Sequence, residues 1–209
     1  GRKLLIVSCS ADKCPDPGDM AAFDRYTGDM FKSIKKQGIP EENVDLAIMS
    51  AKYGLIRRDT KIPNYNVKMD KEIANNLLND PTQVNRIKNT IEGYDEVVVE
   101  GSSLYKDVIK KAAGDAPITD YRLDYEKTLS HYAKKKKFDG IICGHIHHAE
   151  DRDFYGINYL NCGDWVESCT AVVEKFDGTF EILSWNNIKH KFIEKKSTSI
   201  EKIKFQKAS

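Results

Sequence analysis

The sharpest chemical signal in the sequence is Gly144-His145-Ile146-His147-His148, which follows directly on the apolar run Ile141-Ile142-Cys143. Three of the chain's five histidines fall in these four positions after Gly144. Neutral imidazole is a common ligand for divalent manganese, zinc or iron. A strand end holds such side chains rigidly, and Gly144 lets the backbone turn tightly. His145 and His147, as alternate residues, can reach neighbouring points of one cleft and are the candidate metal ligands, with His148, Asn161 and Asp164 as candidate neighbours in the surrounding loops. Exposed loop histidines with no metal are the blander alternative. Two imidazoles alone hold a metal weakly, since a catalytic zinc site usually combines three protein ligands with an open position for water.

A second set of candidates ends the apolar runs of the first half: Ser8-Cys9-Ser10 with Lys13, Ser50-Ala51-Lys52-Tyr53, and Gly101-Ser102-Ser103. In open α/β sheets, ligands bind outside the carboxyl ends of the strands. The serines offer hydrogen bonds to a phosphate or a base edge, the cations offer charge, and Tyr53 and Tyr65 offer rings for stacking. Ser8, Ser10, Lys13, Arg25, Ser50, Lys52, Tyr53 and Ser102 are therefore the candidate nucleotide- or phosphate-binding residues. The alternative is that these serines and lysines cap helices and face water. Cys9 as a nucleophile is the weaker idea, because no histidine lies in this half to activate it.

The elements that must position these residues follow from apolar periodicity and breakers. Strands are expected at Leu4 to Val7, Val44 to Ser50 and Glu96 to Val99. Helices are expected at Phe23 to Gln37, Lys71 to Leu78, Pro81 to Ile91 and Leu104 to Ala113, with Gly38 and Gly114 as stops. Ala51 to Ile56 reads as a strand-end loop. Apolar strands alternating with helices imply a parallel sheet covered on both faces. Beyond Ala116-Pro117-Ile118 the pattern changes to a helix over Asp124 to Lys137 and strands at Ile157 to Leu160, Thr170 to Lys175 and Thr179 to Leu183, the last two joined by the turn Asp177-Gly178. The expected fold is α/β: a three-layer parallel-sheet domain over residues 1–116, a mostly antiparallel β segment with one leading helix over 123–188, and a lysine-rich tail over 189–209. Ile141, Ile142, Leu160, Val172, Val173, Ile182 and Leu183 demand burial, for which homodimerisation is one route.

Composition excludes little. Lys and Arg number 33 against 32 Asp and Glu, so the net charge of +1 gives no global attraction to nucleic acid or an anionic surface. No apolar run approaches the ~18 residues of a membrane span. The first strand is too short for the core of a secretory leader. Cys9, Cys14, Cys143, Cys162 and Cys169 form no Cys-x-x-Cys pair, so reduced thiols and a cytoplasmic location are expected.

Two resemblances sharpen these expectations. Phe138 to His147, followed by Tyr159-Leu160-Asn161-Cys162-Gly163-Asp164-Trp165-Val166-Glu167-Ser168, resembles the C-terminal part of calcineurin-like metallophosphoesterases, in the branch of UDP-2,3-diacylglucosamine pyrophosphatase. The resemblance covers residues ~123–185 and implies a dinuclear metal centre, with His147 on the first ion and His145 on the second. That family's Asp-x-His, Gly-Asp and Gly-Asn-His ligands are missing at strand ends here. Ser8-Cys9-Ser10 with Lys13, Arg25-Tyr26-Thr27-Gly28, Ser50 to Leu55 and Ile62-Pro63-Asn64-Tyr65 are similar to an uncharacterised prokaryotic domain related to the uracil-DNA-glycosylase-like part of archaeosine synthase. That similarity implies a role near nucleobases or nucleic-acid modification. The expected function is a nucleotide- or nucleic-acid-handling domain spliced to an incomplete metallophosphoesterase segment. The alternatives are an active metal-dependent phosphoesterase completed by other residues or a partner chain, and a non-catalytic interaction protein.

Overall fold

A computed structural model describes residues 1–38, 43–165 and 168–189; the expected lysine-rich tail lies almost wholly outside the described residues, as do Val166 and Glu167. The chain divides into two compact units, Gly1–Tyr121 and the residues from Arg122 onward.

The first unit runs β1 (Lys3–Ser8), β2 (Met20–Ala21), α1 (Ala22–Arg25), α2 (Asp29–Gln37), β3 (Val44–Ser50), β4 (Gly54–Arg57), β5 (Lys61–Ile62), α3 (Lys71–Asn79), α4 (Pro81–Glu92), β6 (Glu96–Glu100), α5 (Ser103–Ala113) and β7 (Thr119–Asp120). Its main sheet has the order β4-β3-β1-β6-β7. β1 is parallel to both β3 and β6, β7 is parallel to β6, and β4 returns antiparallel along β3. Leu4 and Ile6 point into a cluster with residues of α3, α4 and α5. Val7 points the other way, into a cluster with Tyr26, Phe31 of α2 and Ile48. Near-continuous apolar runs are what strands covered on both faces require. The chain leaves β1 toward β3 on one side and returns past it to β6 on the other, so right-handed crossovers put their helices on opposite faces. The three-layer parallel expectation therefore holds.

Local signals fix the helix ends. Asp70 accepts the Ile73 N–H at 2.8 Å to cap α3, and Asp80 accepts the Thr82 N–H at 2.8 Å ahead of Pro81 in α4. Two expectations fail. The expected helix over Phe23 to Gln37 is two helices, broken at Tyr26 to Gly28. The expected loop after Ser50 is a tight turn into β4, a fourth strand of the sheet.

In the second unit, α6 (Tyr121–Lys135, which begins at the boundary) leads into β8 (Gly140–Cys143), β9 (Ala149–Phe154), β10 (Ile157–Cys162), β11 (Thr170–Glu174) and β12 (Phe180–Ser184). β10 is central, antiparallel to β9 and parallel to β8; β11 and β12 form an antiparallel hairpin. Its turn is the expected one: Gly178 has φ of 81°, and Asp177 accepts the Thr179 N–H at 2.9 Å. Ala133, Phe154, Ile157, Tyr159 and Leu160 are buried, whereas Ile142, expected inside, is 51% exposed on the edge strand β8. No helix among the described residues is long and apolar enough to cross a membrane.

Candidate functional site

The break between α1 and α2 organises the carboxyl edge of the sheet. The Cys14 N–H bonds the Arg25 carbonyl at 2.8 Å and the Thr27 N–H bonds the Asp12 carbonyl at 3.0 Å, which lays the loop after β1 along Arg25 to Thr27. Ser10 Oγ accepts the Gly28 N–H at 3.1 Å and donates to the Asp12 carbonyl at 2.6 Å. A Cβ on Gly28 would stand 2.5 Å from the Ser10 Cβ, so only glycine allows this approach. Arg25 is fully buried, and its guanidinium donates to the Cys14 carbonyl at 2.6 Å, the Asp16 carbonyl at 2.7 Å, the Gly18 carbonyl, and more distantly the Ile62 carbonyl at 3.4 Å. Arg25 and Ser10, candidates for phosphate contact, are thus committed to tying the loop down.

What the loop presents is a cluster of hydroxyls, rings and ammonium groups. Ser50, buried at the end of β3, accepts the N–H groups of Lys52 at 3.2 Å and Tyr53 at 3.1 Å, and shares a 2.9 Å hydrogen bond with the Tyr65 hydroxyl. The Tyr65 hydroxyl lies 2.5 Å from that of Tyr26, which makes a chain of three hydroxyls. The Tyr53 and Tyr65 rings meet edge to face with centroids 5.3 Å apart. Lys13 Nζ sits 4.6 Å from the centre of the Tyr65 ring, and Lys52 Nζ sits 5.4 Å from it and 5.2 Å from that of Tyr53. Lys13 donates to the Ala11 carbonyl at 3.2 Å, and among the described residues neither lysine is paired with a carboxylate. Burial pushes the Tyr26 phenol up to about 12 and pushes Tyr65 up as well. Both hydroxyls are therefore protonated at neutral pH, where each is donor and acceptor.

The remaining first-half candidates stand at the β1–β6 edge. Gly101, with φ of 144°, lies so close to Ser8 that a Cβ there would come within 2.2 Å of the Ser8 Oγ. Ser102 is exposed at the N-terminus of α5 and makes no side-chain cap. Cys9 Sγ lies 3.2 Å from the Tyr105 hydroxyl, whose phenol is pushed up chiefly by burial and then by that thiol. Tyr26 and Tyr105 are not among the candidate site residues named from the sequence.

The second unit carries the histidine loop. His145 and His147 both have positive φ, 77° and 50°, and both are exposed; the His145 ring tilts against Tyr125 at 5.9 Å. His148 Nε2 lies 3.4 Å from Glu150. Asn161 is fully buried: its Nδ2 donates to the Gly144 carbonyl at 3.1 Å and the Tyr159 hydroxyl at 2.9 Å, and its Oδ1 accepts the Gly163 N–H at 3.0 Å. Asp164 accepts the Ser168 hydroxyl at 2.8 Å. Asn161 and Asp164 thus hold loops. Among the described residues, no group of three or more His, Cys, Asp or Glu side chains is placed to hold a metal ion.

The first unit defines a doubly wound α/β protein with its uncommitted cations at the sheet's carboxyl edge. The sequence matches the family model described as peroxide stress protein YaaA over residues 7–158, nearly three quarters of the chain, and the chain belongs to that family. No curated protein matches it. The family overturns both expected resemblances, to calcineurin-like metallophosphoesterases and to the archaeosine-synthase-related domain. The expected splice of a nucleotide- or nucleic-acid-handling domain with an incomplete metallophosphoesterase falls with them, because one family model runs through the supposed junction and through the histidines. The metal-binding hydrolase reading also finds no support, since no group of three or more His, Cys, Asp or Glu side chains among the described residues could hold a metal ion.

Proposed function

We propose that this chain serves the peroxide-stress response as a ligand-binding protein, and that it takes a small anionic molecule at the Lys13, Lys52 and Tyr65 cluster. The observation that carries this reading is the pair of ammonium groups held over one tyrosine ring without a carboxylate partner among the described residues. An ammonium over a ring gains ~0.5–1 kcal/mol when exposed, and Lys13 keeps N–H groups for an anion beyond the one it gives to the Ala11 carbonyl. The protonated Tyr65 hydroxyl and the turn of N–H groups at Ser50 lie beside it. Surface lysines are usually just solvated; here two from different strand ends converge on one ring. The location agrees with the rule that such sheets bind ligands at their carboxyl edge.

The test is calorimetric titration of the purified chain with phosphate, sulfate and acetate, for the parent and Lys13→Ala, at low and moderate salt. The reading expects saturable binding that weakens with salt and falls about tenfold in the variant, the loss of ~1.4 kcal/mol. Equal heats from both proteins defeat it. The peroxide link is tested by survival of cells carrying Lys13→Ala in place of the parent gene under hydrogen peroxide.

A further inference from the structure

A separate concavity of about 380 Å³ opens between the β4–β5 segment and α4, lined by cations from three parts of the chain: Lys52 after β3, Lys61 on β5 and Arg86 on α4. Among the described residues, no aspartate or glutamate lines it. Among the described residues none of the three cations makes an ion pair with a carboxylate; Arg86 donates only to the Tyr53 carbonyl, at 3.3 Å. The lining also includes the apolar side chains of Ile56, Ile62 and Pro63. Isolated surface cations disperse in water, whereas cations gathered without counter-charge around one hollow raise the local positive potential.

Gln83 lines the same cavity and packs against the Tyr53–Gly54 turn. Its Nε2 reaches the same Tyr53 carbonyl at 3.5 Å, while its Oε1 is buried and has no hydrogen-bond partner among the described residues. Gly54 makes room for this carboxamide: a Cβ there would come within 1.9 Å of Oε1.

We propose that this cleft binds an organic anion that carries two negative charges on a compact apolar body. The charges meet Lys61 and Arg86, with Lys52 between this cleft and the Lys13 cluster, and the body lies on Ile56, Ile62 and Pro63. The volume suits a molecule near the small end of the usual ligand range, ~300–1,000 Å³. This site stands apart from the anion site proposed above, sharing only Lys52 and Tyr53 with it.

The experiment titrates the full chain with phenyl phosphate, benzoate and pyrophosphate at mildly alkaline pH, with Lys61→Glu, Arg86→Glu and Lys13→Ala alongside the parent. Lys61 and Arg86 are exposed, so both reversals keep the fold, which far-UV circular dichroism checks. Phenyl phosphate is expected to bind more tightly than benzoate, which has one charge, and than pyrophosphate, which has no apolar body. Either reversal should weaken the tighter phenyl phosphate binding by about tenfold or more, ~1.4 kcal/mol, whereas Lys13→Ala should lower only the weaker binding that phenyl phosphate shares with inorganic phosphate at the Lys13 cluster. Absence of saturable phenyl phosphate binding overturns the proposal, as does binding indifferent to both reversals. Binding lost in Lys13→Ala but kept in the reversals overturns the cleft while supporting the other site.

Discussion

The Lys13 ammonium stands 4.6 Å from the centre of the Tyr65 ring, although the two residues lie in loops that follow different strands. The contact exists because the loop after β1 is clamped to Arg25, Tyr26 and Thr27. Lys13→Met keeps the aliphatic stem and removes the charge, so it is expected to preserve stability within ~0.5 kcal/mol while flattening the salt dependence of anion binding. Urea melts beside titrations at two ionic strengths check both halves.

The burial of Tyr26 and Tyr65 makes stability fall in strong alkali. Tyr26 and Tyr65 hold their protons more tightly in the folded chain, mainly because burial penalises phenolate; Tyr26 rises from an ordinary 10.0 to about 12. Between those values the native state binds more protons than the unfolded state, so stability decreases as pH rises. The contribution is complete below pH 10.0 and disappears as pH climbs toward about 12. Tyr105 and Tyr159, both pushed up by burial, act in the same direction. Urea midpoints taken across this window should drop steeply for the parent and less steeply for Tyr26→Phe. A parallel slope in the variant would remove Tyr26 from the account.

Arg25→Met is expected to cost ~3 kcal/mol or more, because charge-assisted hydrogen bonds are worth ~1.5–3 kcal/mol each and the carbonyls of Cys14, Asp16 and Gly18 lose their donor. The loss should appear as a lower urea midpoint with the circular dichroism of the native state unchanged. A variant as stable as the parent would show that the guanidinium merely occupies space.

Much of this frame can be read in the sequence. The runs that became β1, β3 and β6 are apolar because both faces of each strand are covered, and Asp70, Asp80 and Pro81 announce the helix starts. The break at Tyr26 is not legible, because Tyr26 fits helical spacing and only the distant bonds from Cys14 N–H to the Arg25 carbonyl and from Thr27 N–H to the Asp12 carbonyl override it. β9 carries no apolar alternation, since Glu150-Asp151-Arg152-Asp153 is charged; its backbone pairing with β10 makes it a strand. For the proposed site, the strand-end rule points to Lys13, Ser50 and Lys52, but not to the Tyr26 hydroxyl, whose partner Tyr65 lies 39 positions away. Lys61, Gln83 and Arg86 have no shared spacing at all and meet only in the folded chain.

Asn161 shows how a short motif misleads. Its carboxamide bonds the Gly144 carbonyl, the Tyr159 hydroxyl and the Gly163 N–H, so it fastens the histidine loop to β10 without needing a metal. Asn161→Ala is expected to cost ~1–3 kcal/mol, since it leaves buried polar partners unsatisfied. Hydrogen exchange should report faster opening around Gly144 and Gly163.

His147 tests whether the loop's backbone or its side chain matters. With φ of 50°, it sits in the left-handed region, which costs a residue with a Cβ ~1–2 kcal/mol relative to the right-handed one and costs glycine little. The exposed imidazole buries little in compensation. His147→Gly is therefore expected to stabilise the second unit by roughly 0.5–1 kcal/mol, less the larger unfolded-state entropy of glycine. His147→Ala keeps the strain and removes the ring, so it should leave stability near the parent's. If His147→Ala instead destabilises as strongly as a core truncation, the ring makes contacts that outweigh the strain, and the backbone argument is wrong.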